Sequence, residues 1–201
     1  MVQRSYEMLR RVADKFLNEH NTERVLPVPI EMIIDNKLGI NIVPIPELAE
    51  VAGLESFTWN NMDTIVVDGN IHKRYPQRLR FTLAHELGHI LLHREVIKKC
   101  PRNEMDSYAH YVSNMGEKER QVFENEANNC AGLLLVPKKP LLEKYQQTLT
   151  MFPALNDRTN DETIRSYVSN WIAKDFDVTE RVVEIRLCFE RCWEFKKNKA
   201  P

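Results

Sequence analysis

The stretch from Pro76 to His93 constrains this chain more than any other. Leu79, Leu83, Leu87, Ile90 and Leu91 recur at helical spacing, and Pro76 suits a first turn. The spacing therefore predicts one amphipathic helix. Within it stand His85, Glu86 and His89, polar groups in apolar surroundings. Such groups are costly unless something partners them.

Histidines four apart on a helix differ by about 40° beyond a full turn and by about 6 Å along the axis. Both rings leave one face and can converge on one cation. Zinc takes nitrogen ligands at about 2.0–2.1 Å, so His85 and His89 fit a single tetrahedral centre. Glu86 projects beside the pair. In the His-Glu-x-x-His arrangement that glutamate is the general base and not a ligand. Zinc lowers the pKa of water it binds to about 7, and Glu86 would take the proton and pass it to the leaving amine. Two surface histidines on an amphipathic helix are the plainer alternative; the apolar surroundings weigh against it.

A catalytic zinc has three protein ligands. His93 lies about 12 Å from His85 along a straight helix, too far for one ion to bind all three histidines. It reads as a helix-end or outer-sphere residue. Leu92 and Glu95 stand where an extended His-Glu-x-x-His-x-x-Gly-x-x-His pattern needs glycine and histidine. The third ligand must come from elsewhere, and Glu126 is the candidate. It lies in a second strong helix, Glu117 to Val136, stopped by Pro137. Ala127 and Ala131 form a small-residue stripe that allows close helix packing, and Glu126 adjoins it. Glu124 is about 200° around the same helix, so both cannot face the metal. A solvated carboxylate remains the alternative for Glu126.

Elsewhere the pattern changes. Ser5 to Glu19 and Ile30 to Lys37 read as helices, Gly39 marking the end of the second. Ile40–Ile45, Leu54–Trp59 and Thr64–Val67 read as strands, the last two joined as a hairpin by Asn60–Asp63. Residues 94–116 read mostly as loop. A short helix is expected over Pro140–Gln147 and a linker over 151–159. Further helices follow over Asp161–Lys174, capped by Asn160, and from Glu180 to about Phe195. Helices, then three strands, then helices argue an α+β fold.

With 201 residues, 43% hydrophobic and 28% charged, the chain can bury a real core. The expected organisation is a catalytic domain over 1–150 and a helical region over 151–201. A formal net charge of -1 gives no support for a partner held through phosphates. No apolar run is long enough for a bilayer, and the four cysteines form no CxxC pair. These features read as a cytoplasmic protein with free thiols.

The segment Arg80-Phe81-Thr82-Leu83-Ala84-His85-Glu86-Leu87-Gly88-His89, followed by Leu91-Leu92-His93, resembles the ImmA/IrrE family of metallopeptidases. Glu126-Ala127-Asn128, with Ala131 and Leu133-Leu134-Leu135-Val136-Pro137, is a second match. The likeness covers roughly residues 1–140. It implies a zincin-like fold, a small sheet beside an active-site helix. It also implies zinc held by His85, His89 and Glu126, with Glu86 as catalytic base. Family members are cytoplasmic regulators that cleave a helix-turn-helix repressor, which is the partner the resemblance implies. The 94–119 connection is longer than in that pattern. Tyr108, His110 and Tyr111 within it could touch substrate, although a solvated loop explains them as simply.

The segment from Ile172 to Leu187 reads as helix, short turn, helix, compatible with a helix-turn-helix. Glu180 and Glu184 alternate with Arg181 and Arg186, and that mixed charge argues against strong DNA binding. Two other functions compete with peptide hydrolysis. One is a DNA- or protein-binding regulator with a structural or vestigial zinc. The other is hydrolysis of a non-protein amide or ester by the same chemistry.

Overall fold

The computed structural model describes residues 3–100, 114–158 and 161–193. Tyr108, His110, Tyr111 and Asn160 lie outside the described residues. The chain divides into two compact units, Met1–Leu135 and Val136–Pro201.

In the first unit, α1 (Tyr6–His20) begins at Ser5, whose hydroxyl accepts from the Met8 N–H. It buries Leu9, Ala13, Phe16 and Leu17. Helix α2 (Ile30–Met32) runs on into a π-helical turn over Ile33–Lys37. Strand β1 (Asn41–Ile45), helix α3 (Leu48–Ala52), and strands β2 (Ser56–Thr58) and β3 (Thr64–Asp68) follow. The sheet order is β1-β3-β2. The expected hairpin joins β2 and β3, Ser56 facing Val67 and Thr58 facing Ile65. Strand β1 pairs with β3 in parallel, Asn41 beside Thr64 and Ile45 beside Asp68. Pro44 has no N–H to give a second neighbour, which suits an edge. Central β3 is buried on both faces, hence its unbroken Ile65-Val66-Val67.

Asp68 ends β3 and caps α4 (Gly69–Arg74), its carboxylate accepting from the Asn70 and Ile71 N–H groups. The second carboxylate oxygen accepts from the Ala49 N–H of α3. Helices α3 and α4 were not evident in the sequence; each is short, and neither has a long apolar period to announce it. Helix α5 (Pro76–Leu92) is the expected central helix. It is buried on several sides, with Leu79, Leu83, Ala84, Leu87 and Leu92 all inside. Helix α6 (Arg94–Ile97) adds one turn where irregular chain was expected. Helix α7 (Glu117–Leu135) packs against both α5 and α1. Mostly helical, with a three-stranded sheet, the fold is α+β as expected.

The second unit holds α8 (Lys138–Met151), a 3₁₀ segment (Pro153–Arg158), α9 (Glu162–Phe176) and α10 (Glu180–Phe189). Helix α8 is longer than expected. Asp161 caps α9 by accepting from the Thr163 N–H. Asp177 turns the chain in the left-handed region (φ 49°) between α9 and α10. Buried Arg186 donates to the Val136 carbonyl (3.1 Å) and pairs with Glu190 (3.0 Å). Among the described residues, no helix is long and apolar enough to cross a membrane.

Candidate metal centre

His85 and His89 converge as the helical spacing requires, their Nε2 atoms 3.0 Å apart. The carboxylate that joins them is Glu124. Its Oε2 lies 3.3 Å from the His85 Nε2 and 3.7 Å from the His89 Nε2. These three side chains form a group able to hold a metal ion. Around a tetrahedral ion with bonds of about 2.0–2.1 Å, donor atoms stand about 3.3–3.4 Å apart. The triangle of 3.0, 3.3 and 3.7 Å brackets that spacing.

Each ring also has a polar partner on its far side. His85 Nδ1 is 2.9 Å from the Asn128 Oδ1, an acceptor, so Nδ1 donates and Nε2 keeps its lone pair. His89 Nδ1 is 3.0 Å from His93 Nδ1, and His93 Nε2 is 3.0 Å from the Glu126 Oε2. With His89 likewise protonated on its far side, two imidazole lone pairs and a carboxylate would face the centre. Two imidazole nitrogens and a carboxylate oxygen converging there make a donor set that suits a cation. Helix α5 supplies the histidines and α7 the carboxylate, so the packing of two helices sets the triangle.

The charges respond to that crowding. Burial works against protonation of His85, yet the Glu124 hydrogen bond and the Glu86 and Glu124 charges carry its pKa above the ordinary value. Burial pushes the His89 pKa down, with His85 adding to the effect. Glu124 is held far below the usual carboxylate range by its hydrogen bonds with His85 and His89, despite burial. Burial also takes His93 down to about 4, against the pull of Glu126, so its ring is neutral at pH 7.

Glu126, expected as the third ligand, has partners other than His85 and His89. Glu126 is buried, but its carboxylate accepts from the Arg4 backbone N–H (2.5 Å), the Arg4 Nη1 (2.6 Å) and His93, and takes no part in the His85–His89 group. Two positions along α7 turn a side chain to nearly the opposite direction. The α5–α7 packing presents Glu124 to the histidines and Glu126 to α1's approach. Of the two carboxylates, Glu124 lies beside the His85–His89 pair.

Glu86 is 2% exposed. Its Oε1 accepts from the Ser56 hydroxyl (2.6 Å) and its Oε2 from the Thr58 hydroxyl (2.7 Å). Both hydroxyls belong to edge strand β2, two residues apart and so on one face. Phe123 stacks on His89, ring centroids 4.1 Å apart, and lies 4.5 Å from His93. Sequence reasoning assigned no role to Ser56, Thr58, Phe123, Asn128 or Arg4. The visible signals were two hydroxyls at strand spacing and the place of Asn128 in the Glu126-Ala127-Asn128 motif; Arg4 offered none.

The sequence model of the Peptidase_M78 family, described as the IrrE N-terminal-like domain, matches residues 36–188. That span contains the sheet, α5 and α7. No curated protein matches the chain.

Proposed function

This chain belongs to the Peptidase_M78 family and is of metallopeptidase type, and from that premise we propose that it is a zinc-dependent, site-specific endopeptidase. The zinc is held by His85, His89 and Glu124, and Glu86 is the general base. The observation that carries this reading is the convergence of His85, His89 and Glu124 in one triangle of 3.0, 3.3 and 3.7 Å. Its donor set of two imidazoles and a carboxylate is one that zinc takes in catalytic sites. Glu86 adjoins His85 in sequence and is not one of the three grouped side chains.

When bound, zinc supplies Lewis acidity, acidifying water and polarising the scissile carbonyl. The chain's own residues do the rest. Glu86 receives a proton at its carboxylate and delivers it to the departing amine nitrogen. Ser56 and Thr58 hold that carboxylate in one direction, so little reorganisation is needed when the proton moves. Phe123 keeps water from one face of His89.

The substrate is a protein, by family. We take it to be a cytoplasmic regulator of the helix-turn-helix repressor class, on the resemblance carried by the His85–His89 and Glu126–Asn128 motifs. Among the described residues, β3 is the strand paired with β2, and no strand pairs with its other edge. A substrate segment paired along that edge would lie beside Glu86.

The test is Glu86→Gln, compared with wild type for metal content and for cleavage of a co-expressed candidate repressor. The variant is expected to keep one zinc per chain and to lose cleavage. Retained cleavage would overturn the general-base assignment. Purified wild type without zinc, after preparation free of chelators, would overturn the cofactor.

A further inference from the structure

Four residues stand in line behind the proposed metal centre: His89, His93, Glu126 and Arg4. Each link has a direction. The Arg4 guanidinium and backbone N–H both donate to Glu126, so this carboxylate accepts. An accepting carboxylate requires that His93 donate from Nε2, at 3.0 Å. A neutral ring protonated at Nε2 has its lone pair on Nδ1. That lone pair, 3.0 Å from the His89 Nδ1, requires that His89 donate from Nδ1. The proton of His89 is then committed to the far side, and Nε2 is left bare toward His85 and Glu124.

We propose that His93, Glu126 and Arg4 form a positioning relay that fixes the tautomer and ring angle of His89 for metal binding. The inference rests on the reading of His85, His89 and Glu124 as a metal centre. It gives Glu126 a task other than ligation and accounts for a carboxylate 2% exposed inside a helix-packed unit. It also ties α1's entry to the centre. Arg4 immediately precedes the Ser5 cap of α1, and its Nη2 donates to the Leu92 carbonyl at the end of α5 (2.7 Å). One side chain thus grips the last turn of the histidine helix and the carboxylate of α7. His85 has a simpler arrangement, a single Asn128 acceptor. The two ligands are oriented by unequal means.

Outer partners of ligating histidines are worth about 10–100-fold in metal affinity when removed. The relay makes a sharper statement, because it names the atom that bears the proton. The experiment compares wild type with His93→Leu and His93→Gln in the full chain. Zinc affinity is read by competition with a chromogenic chelator. The His89 tautomer is read in the metal-free protein from imidazole ¹⁵N shifts and long-range ¹H–¹⁵N couplings.

Metal-free wild type is expected to carry the His89 proton on Nδ1. His93→Leu removes the acceptor, so the proton redistributes to Nε2 and zinc affinity falls by about 10–100-fold. His93→Gln offers an amide oxygen in place of Nδ1 and is expected to restore most of the affinity. A role in packing alone predicts otherwise: both variants would lose melting temperature alike, and affinity would not follow the acceptor. Should His93→Leu fail to fold, Glu126→Gln carries the test, since it keeps an acceptor for His93 but loosens the Arg4 link. Its His89 proton should remain on Nδ1. Finding the His89 proton on Nε2 in metal-free wild type overturns the relay. So does an unchanged affinity in folded His93→Leu. The tautomer is measured without metal, so a wild type that binds no zinc would sink the metal centre and leave the relay to be judged separately.

Discussion

Gly88 and Ala127 meet where α5 crosses α7: a Cβ on Gly88 would stand 3.0 Å from the Ala127 carbonyl oxygen and 3.2 Å from the Cys130 Cβ. The nearest obstacle is backbone, which cannot swing away. Gly88 lies on the same helix as His85 and His89, and Ala127 on the same helix as Glu124. The contact therefore sets the distance between the histidines and their carboxylate. Gly88→Ala gains up to about 1 kcal/mol of helix propensity. Overpacking costs about 1–3 kcal/mol, and we expect it to win. Chemical denaturation should show a lower midpoint, and chelator competition a weaker metal site. A stabilised variant with unchanged metal affinity would mean that the helices yield without disturbing the centre.

Glu124→Ala should abolish tight metal binding with little change in fold. Its side chain is 39% exposed and its partners are the two histidines, so no core packing depends on it. Far-UV circular dichroism should match wild type, while metal content after dialysis should drop to background. Full occupancy in this variant would return the third-ligand role to another group.

Ser56→Ala with Thr58→Val should leave zinc in place and slow the reaction. Both hydroxyls donate to Glu86, and neither belongs to the His85, His89 and Glu124 group. A general base left free to reorient costs up to roughly 10²-fold in rate. The loss should fall on kcat, since the two hydroxyls direct the Glu86 carboxylate. Unchanged kcat would show that the edge strand does not aim Glu86.

Asp68 joins the end of β3 to α3 and α4. The Ala49 N–H, followed after the opposing effect of burial by those of Ile71 and Asn70, lowers its pKa from the ordinary value. A carboxylate depressed on folding adds stability above its unfolded pKa of about 3.9. That contribution disappears as pH falls through the lower folded value. Asp68→Ala should cost about 1–2 kcal/mol near neutrality, the scale of a lost helix cap. Urea midpoints for variant and wild type should then draw together toward acid. A gap that stays constant with pH would assign the effect to packing instead of charge.

Much of the arrangement was legible because it is local. His85 and His89 share a face for reasons of helical geometry alone, and their Nε2 atoms do meet. The β2–β3 hairpin followed from two apolar runs around Asn60–Asp63, and α7's end from Pro137. Short α3 and α4 escaped, since one turn of helix leaves no periodic record. The parallel pairing of β1 with β3 escaped too, because it links residues more than twenty apart through a connection of mixed structure.

The sequence by itself determined that two imidazoles and a neighbouring glutamate would share one buried helix, since four residues make a turn wherever the helix lies. It also determined that only one of Glu124 and Glu126 could join them. Which one was decided by tertiary structure. The phase of α7 about its own axis depends on how Gly88, Ala127 and Cys130 interlock with α5 and how Arg4 reaches in from α1. Those contacts lie between segments far apart in the chain, and spacing within either helix carries no record of them.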